Sequence, residues 1–327
     1  PASKAWPAAR RTISERASCT SMILGAWEWV RRYPVSAGLC VLLAALVLLA
    51  ILLLQRHDKL MGQLLHPERR HVNEQALADA RQRLPGLEVV AFRSADGLTL
   101  RGWYVPSRNR AAVVLVHGAA ENRLWWLSEA EFLAGQGFGV LLYDNRAAGE
   151  SDGDLQTWGD REQDDVIGAL DFLQQRPDVD PDRLGAEGFS IGASTVALAA
   201  ARDRRVRTVV LKAVWTGLPE ELLHMLGGGW QARWVLRDFA RAGVRLEQVK
   251  PLAKISAIAP RPVMVVVGSR DHHVPMEVAQ SVFDAAGQPR VWRVIPDADH
   301  VDYEHLGGDP LRAEVAAFFA KGLLAAR

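Results

Sequence analysis

The chain has 327 residues, with 39 Lys+Arg against 38 Asp+Glu and 49% hydrophobic residues. That length holds one large α/β domain plus an appendage, while the balanced charge and the lack of any long basic tract argue against a nucleic-acid partner. Both cysteines, Cys19 and Cys40, precede the globular part, so that part carries no disulfide and its chemistry is not a thiol's.

From Ala37 to Leu54 no residue is charged. A helix over this stretch covers about 27 Å, close to the hydrocarbon thickness of a bilayer. Trp27, Trp29 and Tyr33 precede it where an aromatic belt would lie, with Arg31 and Arg32 on one flank and Arg56 and Lys59 on the other. No small-x-small cleavage site follows, since the run ends Leu52-Leu53-Leu54-Gln55-Arg56. An uncleaved, single-pass membrane anchor is therefore expected. Lys4, Arg10, Arg11, Arg16, Arg31 and Arg32 before the span, against Arg56, Lys59, Arg69 and Arg70 after it, put the N-terminus inside and the globular part on the extracytoplasmic side. The chain opens at Pro1 rather than Met, and residues upstream would alter that count. The expected organisation is an N-terminal tail (1–36), an anchor (37–54), a juxtamembrane connector (55–86) and a globular domain (87–327).

The globular part opens with a β-hairpin, Leu87 to Arg93 and Leu98 to Val105, joined across Ala95-Asp96-Gly97. Strands then alternate with helices. Ala111–Val116, Gly139–Tyr143, Leu184–Phe189, Val206–Val214, Pro262–Val267 and Val291–Ile295 read as buried strands. Leu124–Gly135, Asp160–Gln175, Ala193–Ala201 and a terminal run from Pro310 to Leu324 read as helices. This pattern predicts an α/β fold, a mostly parallel sheet covered by helices on both faces. One segment, Trp215 to about Ser256, is longer than a single crossover needs and is broken at Gly227-Gly228-Gly229. It is expected to form a helical lid.

Gly188-Phe189-Ser190-Ile191-Gly192 lies between a strand-like run and a helix-forming run. A serine on so abrupt a turn has its hydroxyl pushed clear of the backbone, as in a nucleophile elbow. Such a serine needs a base, an acid to orient the base, and amides for an oxyanion. His300, in the loop after the last strand, is the candidate base. Asp271, on the loop leaving Val263–Val267, is the candidate acid, favoured over Asp297 and Asp299, which adjoin His300 in sequence. The amides of Ala119, after His117-Gly118, and of Ile191 are the candidate oxyanion donors. His272 and His273 sit side by side, point apart on an extended loop and lack a third ligand at suitable spacing, so no metal and no organic cofactor are expected.

The order Ser190, Asp271, His300, with His117-Gly118 after the third strand, resembles the α/β-hydrolase superfamily over roughly Leu87 to Leu324. Tyr143-Asp144-Asn145-Arg146-Ala147-Ala148-Gly149-Glu150-Ser151-Asp152-Gly153 is similar to the Asp-x-Arg-Gly-x-Gly-x-Ser segment of the serine-hydrolase branch with monoacylglycerol lipases, serine aminopeptidases and bacterial membrane-anchored esterases. Ala147 stands where that segment has glycine, and Ala148 where histidine is common. The resemblance implies hydrolysis of a small-molecule ester or lipid, an acylglycerol or lysolipid among them, through an acyl-enzyme. Peptidase, amidase or acyltransferase chemistry on the same fold is the alternative, and a non-catalytic scaffold is the alternative of another class. The oligomeric state is not legible. Trp125, Trp126, Trp215, Trp230 and Trp234 are the candidate pocket residues. If Gln231 to Val244 is helical, Arg233, Arg237 and Arg241 form a basic stripe opposite Val235, Leu236 and Phe239, either a plain solvated face or one for a membrane surface or an anionic head group.

Overall fold

Apolar runs buried on both sides build the centre of the sheet. In the computed structural model, which describes residue 24 and residues 26–325, every residue of β3 (Ala112–Val116), β4 (Gly139–Tyr143), β5 (Leu184–Phe189) and β7 (Val263–Gly268) is buried. Strands of this kind, apolar but for Glu187 in β5, suit a parallel sheet covered on both faces. Most of the tail lies outside the described residues, with Cys19 and with Lys4, Arg10, Arg11 and Arg16 from the orientation argument.

Among the described residues eight strands form one sheet in the order β1-β2-β4-β3-β5-β6-β7-β8. The hairpin of β1 (Glu88–Arg93) and β2 (Thr99–Val105) is antiparallel and joins β4 antiparallel, while all later pairs are parallel. β6 (Val206–Lys212) and β8 (Arg290–Ile295) complete the far half. The covering helices are α3 (Leu127–Gly135), α4 (Glu162–Gln174), α5 (Ile191–Arg202), α9 (Met276–Ala285) and α10 (Tyr303–Leu323). Between β6 and β7 lie α6 (Leu218–Met225), α7 (Gly229–Arg241) and the short α8 (Pro251–Lys254), the helical insertion expected over 215–256. α10 starts well before Pro310, because the chain is already helical at Tyr303 and is only broken at Gly308, where φ is 53°.

The chain divides into two units, residues 1–60 and 61–327. In the first, α1 (Pro34–Leu65) begins, a helix of 32 residues that is long and apolar enough to cross a membrane. It outruns the expected span of 37–54 because Gln55 to Leu65 contains no helix breaker other than Gly62. The boundary also differs from the connector expected at 55–86. Residues 61–86, including α2 (Glu74–Arg83), belong to the second unit, held there by polar contacts. The Trp158 indole donates to the Leu64 carbonyl at 2.8 Å, and the Gln156 amide donates to Leu65 at 2.8 Å. Arg69 donates to the Ser151 carbonyl at 2.8 Å and also to that of Gly153. Arg70 and Arg83 pair with Glu121 and Glu131.

Candidate active site

Loops at the C-terminal ends of β3, β5, β7 and β8 meet at one rim of the sheet, where open α/β sheets hold their ligands. Ser190 sits between β5 and α5 at φ 54°, ψ −118°, outside the basins that non-glycine residues ordinarily occupy. Two neighbours make that turn possible. A Cβ on Gly188 would come within 2.3 Å of the Gly192 carbonyl oxygen, and one on Gly192 within 2.1 Å of the Val116 carbonyl oxygen. The Ser190 amide donates to the Lys212 carbonyl at 2.9 Å, which fixes the elbow to β6.

The structure brings Ser190, His300 and Asp271 together. Ser190 Oγ lies 3.0 Å from His300 Nε2, and His300 Nδ1 lies 2.9 Å from Asp271 Oδ2. With Nδ1–H donating to the carboxylate, Nε2 is the acceptor for the serine proton. Asp271 is buried and accepts from the His273 and Val274 amides at 2.9 and 2.7 Å and from the Tyr303 hydroxyl at 2.8 Å. Burial pushes its carboxyl up, but the His300 ring, the Val274 amide and the Tyr303 hydroxyl outweigh this and hold it below the usual carboxylate range. The other two carboxylates are occupied elsewhere. Asp299 accepts from the His300 and His272 backbone amides, and Asp297 pairs with the exposed Arg270. The His272 ring faces Asp299, the His273 ring lies 4.9 Å from that of His300, and no group of three metal-ligating side chains occurs among the described residues.

Ala119 and Ile191 both line the cavity beside Ser190, and neither amide is taken by a protein acceptor among the described residues. Gly118 lets the loop approach, since a Cβ there would meet the Phe189 ring at 3.0 Å. His117 is buried; its Nε2 accepts from the Asn145 amide at 3.0 Å, so Nδ1 donates to the Gly118 carbonyl at 2.8 Å. Burial lowers its pKa, and the neutral ring braces the loop rather than exchanging protons. Behind the elbow lies a charged cluster. Buried Lys212 reaches Glu187 at 2.8 Å, Glu129 at 2.9 Å and Glu304 at 3.1 Å, under the ring of Trp126. Burial opposes the lysine's charge, but the three carboxylates outweigh it, so the ammonium is retained.

The cavity, about 190 Å³, is lined by Trp125, Trp158, Trp215, Phe189 and Glu221, with Met225 and Val301 also in its wall. Trp125 stacks on Phe189 with ring centroids 4.8 Å apart. Three of the expected tryptophans are elsewhere. Trp126 follows Trp125 in a tight 3₁₀ turn, so it points the other way, into the core over Lys212. Trp230 and Trp234, one helical turn apart, share the outer face of α7 with Arg233 and Arg237, because Ala232, Val235 and Phe239 take the buried face. Trp158 and Glu221 also line the cavity, and neither place is marked by a local sequence signal. The first enters through a turn at φ 55°, and the second depends on which face of α6 turns inward. A larger groove of about 470 Å³, between α4, α5 and residues 245–257, has no serine, threonine, cysteine or histidine among the described residues that line it.

Residues 125–324 match the sequence model of the prolyl oligopeptidase family. The uncharacterized protein YfhR of Escherichia coli O157:H7 is 28% identical over 245 residues, 72% of this chain and 81% of that protein. The uncharacterized protein Rv2307c of Mycobacterium tuberculosis is 30% identical over 242 residues, 73% and 81% of the two chains. Among solved structures, the Pyrococcus furiosus esterase Pf2001 superposes with a TM-score of 0.65 at 22% identity, over 80% of this chain and 98% of that one. By sequence the chain belongs to the prolyl oligopeptidase family, and its fold is that of the α/β-hydrolase superfamily of serine hydrolases.

Proposed function

We propose that the chain hydrolyses carboxylic esters through an acyl-enzyme, with Ser190 as nucleophile, His300 as general base and acid, and Asp271 as the group that orients and stabilises the imidazolium. The observation that carries this reading is the unbroken line from Ser190 Oγ through the His300 ring to Asp271, 3.0 and 2.9 Å long at its two hydrogen bonds. As Oγ attacks the ester carbonyl, its proton passes to Nε2, and the carbonyl electrons move to an oxyanion facing the Ala119 and Ile191 amides. Collapse expels the alcohol, which takes the Nε2 proton. A water then loses a proton to Nε2, attacks the acyl carbon and releases the acid.

A cavity of about 190 Å³ favours a small acyl group over a long lipid chain, since ligand pockets for drug-sized molecules span about 300–1,000 Å³. The experiment is a p-nitrophenyl ester series by chain length. Acetate to butyrate should be turned over faster than octanoate or longer, and the reverse order would reject the assignment. The family match supports a second reading, cleavage of amides by the same groups, for which aminoacyl p-nitroanilides are the matched substrates. On this account α1 anchors the enzyme in a membrane, with residues 61–327 on the extracytoplasmic side.

A further inference from the structure

Glu221 is 6% exposed and opens on the cavity, and no hydrogen bond or ion pair partners its carboxylate among the described residues. It lines the cavity that holds Ser190, on the turn of α6 that packs inward. A carboxylate in such a wall, without a counter-ion, is costly to ionise and keeps its proton instead. Burial, with the Asp271 charge behind it, pushes this carboxyl up to about 8. Every other charge near the cavity is already answered. Glu121 is paired through both oxygens with Arg70 at 2.9 Å, and Asp271 with His300. Among the described residues no lysine or arginine lines the cavity, whereas three indoles, those of Trp125, Trp158 and Trp215, do. Aromatic rings and a carboxylate in the wall of one cavity are the recognition chemistry of ammonium groups.

The geometry points to a substrate that carries a cationic nitrogen, an ammonium group seated against Glu221 and the indoles while its ester carbonyl faces Ser190. This rests on the ester-hydrolase reading and deepens it. The arriving cation draws the proton off Glu221 into solvent, which converts an unpaired neutral acid into a buried ion pair. Selectivity then comes from the loss suffered by uncharged isosteres, which leave the carboxyl unanswered.

The test uses the full chain and the rate at which a fluorophosphonate labels Ser190. Choline and its uncharged carbon isostere, 3,3-dimethylbutan-1-ol, are compared as protecting ligands, first on the wild type and then on Glu221→Gln and Glu221→Met. We expect choline to protect at about tenfold lower concentration than the isostere in the wild type, a discrimination of the size of a desolvated cation–π contact. We expect that ratio to fall toward one in both variants. The ratio is taken within each protein, so a general loss of reactivity cancels, and labelling itself reports a folded site. Equal protection by the two ligands in the wild type, or an undiminished ratio in the variants, overturns the ammonium site. Failure of folded wild type to label at all overturns the hydrolase reading instead.

Discussion

The Tyr303 hydroxyl donates to Asp271 Oδ2 at 2.8 Å while accepting the Gly268 amide at 2.7 Å. Burial, and the Asp271 charge beside it, hold the phenol well above its ordinary pKa, so it remains a donor at every working pH. The first turn of α10 thus fixes the carboxylate that fixes His300. Tyr303→Phe should lower kcat by about tenfold with KM little changed, the loss of one hydrogen bond to a charged group. Steady-state kinetics check this. A Tyr303→Phe enzyme with unaltered kcat would mean that the two amides at Oδ1 hold Asp271 unaided.

Ala147 adopts φ 59°, in the left-handed region where a side chain is strained. This is the position where the similar segment of related hydrolases carries glycine. The loop keeps its form because Arg146 is gripped by Asp165 at 2.6 Å and Asp96 at 2.8 Å. Ala147→Gly should therefore stabilise the protein by up to ~1 kcal/mol, part of the strain relief being offset by the freer unfolded chain. Gly149→Ala, where a Cβ would fall 2.0 Å from Asp144 Oδ2, should destabilise it. Urea midpoints of the two variants should move in opposite directions.

Glu221 also makes a prediction about pH that is independent of catalysis. Below its ordinary value of 4.5 the carboxyl is protonated in folded and unfolded chains alike. Between there and about 8 the unfolded chain releases the proton and the folded chain keeps it, so the wild type loses stability as pH rises across that window. Glu221→Gln lacks this loss. Its gain in melting temperature over the wild type should be larger at pH 8.5 than at pH 5, and an equal gain at both would remove the argument.

Residues 61–72 hold one wall of the site, since Leu64 accepts the Trp158 indole and Arg70 pairs with Glu121. A chain beginning at Met61 should keep the proposed ester turnover. One beginning at Asn73 should lose several degrees of thermal stability and most of its turnover. Equal activity of the two truncations would show that this stretch is a passive connector after all.

Local signals carry most of the fold and the alignment of Ser190, His300 and Asp271. The Asp-Gly hairpin, the β-branched strands and the Gly188–Gly192 elbow are each specified within a few residues, by backbone geometry that nearby side chains permit or forbid. The walls of the cavity were less legible. Trp125 and Trp126 are adjacent and chemically alike, and only the tertiary packing sends one to the pocket and the other over Lys212. Tyr303 was hidden for a similar reason. The terminal helix is expected from Pro310, where its apolar periodicity becomes clear, whereas the hydroxyl that braces Asp271 belongs to the turn before Gly308.

The central claim is that the Ser190 hydroxyl is the reacting group, activated by His300. Mass spectrometry of the fluorophosphonate-treated full chain tests it most directly. The account predicts one adduct, on the peptide containing Ser190, absent in Ser190→Ala and formed at least about a thousandfold more slowly in His300→Ala. An adduct on another residue, or undiminished labelling of Ser190 without the imidazole, would contradict it.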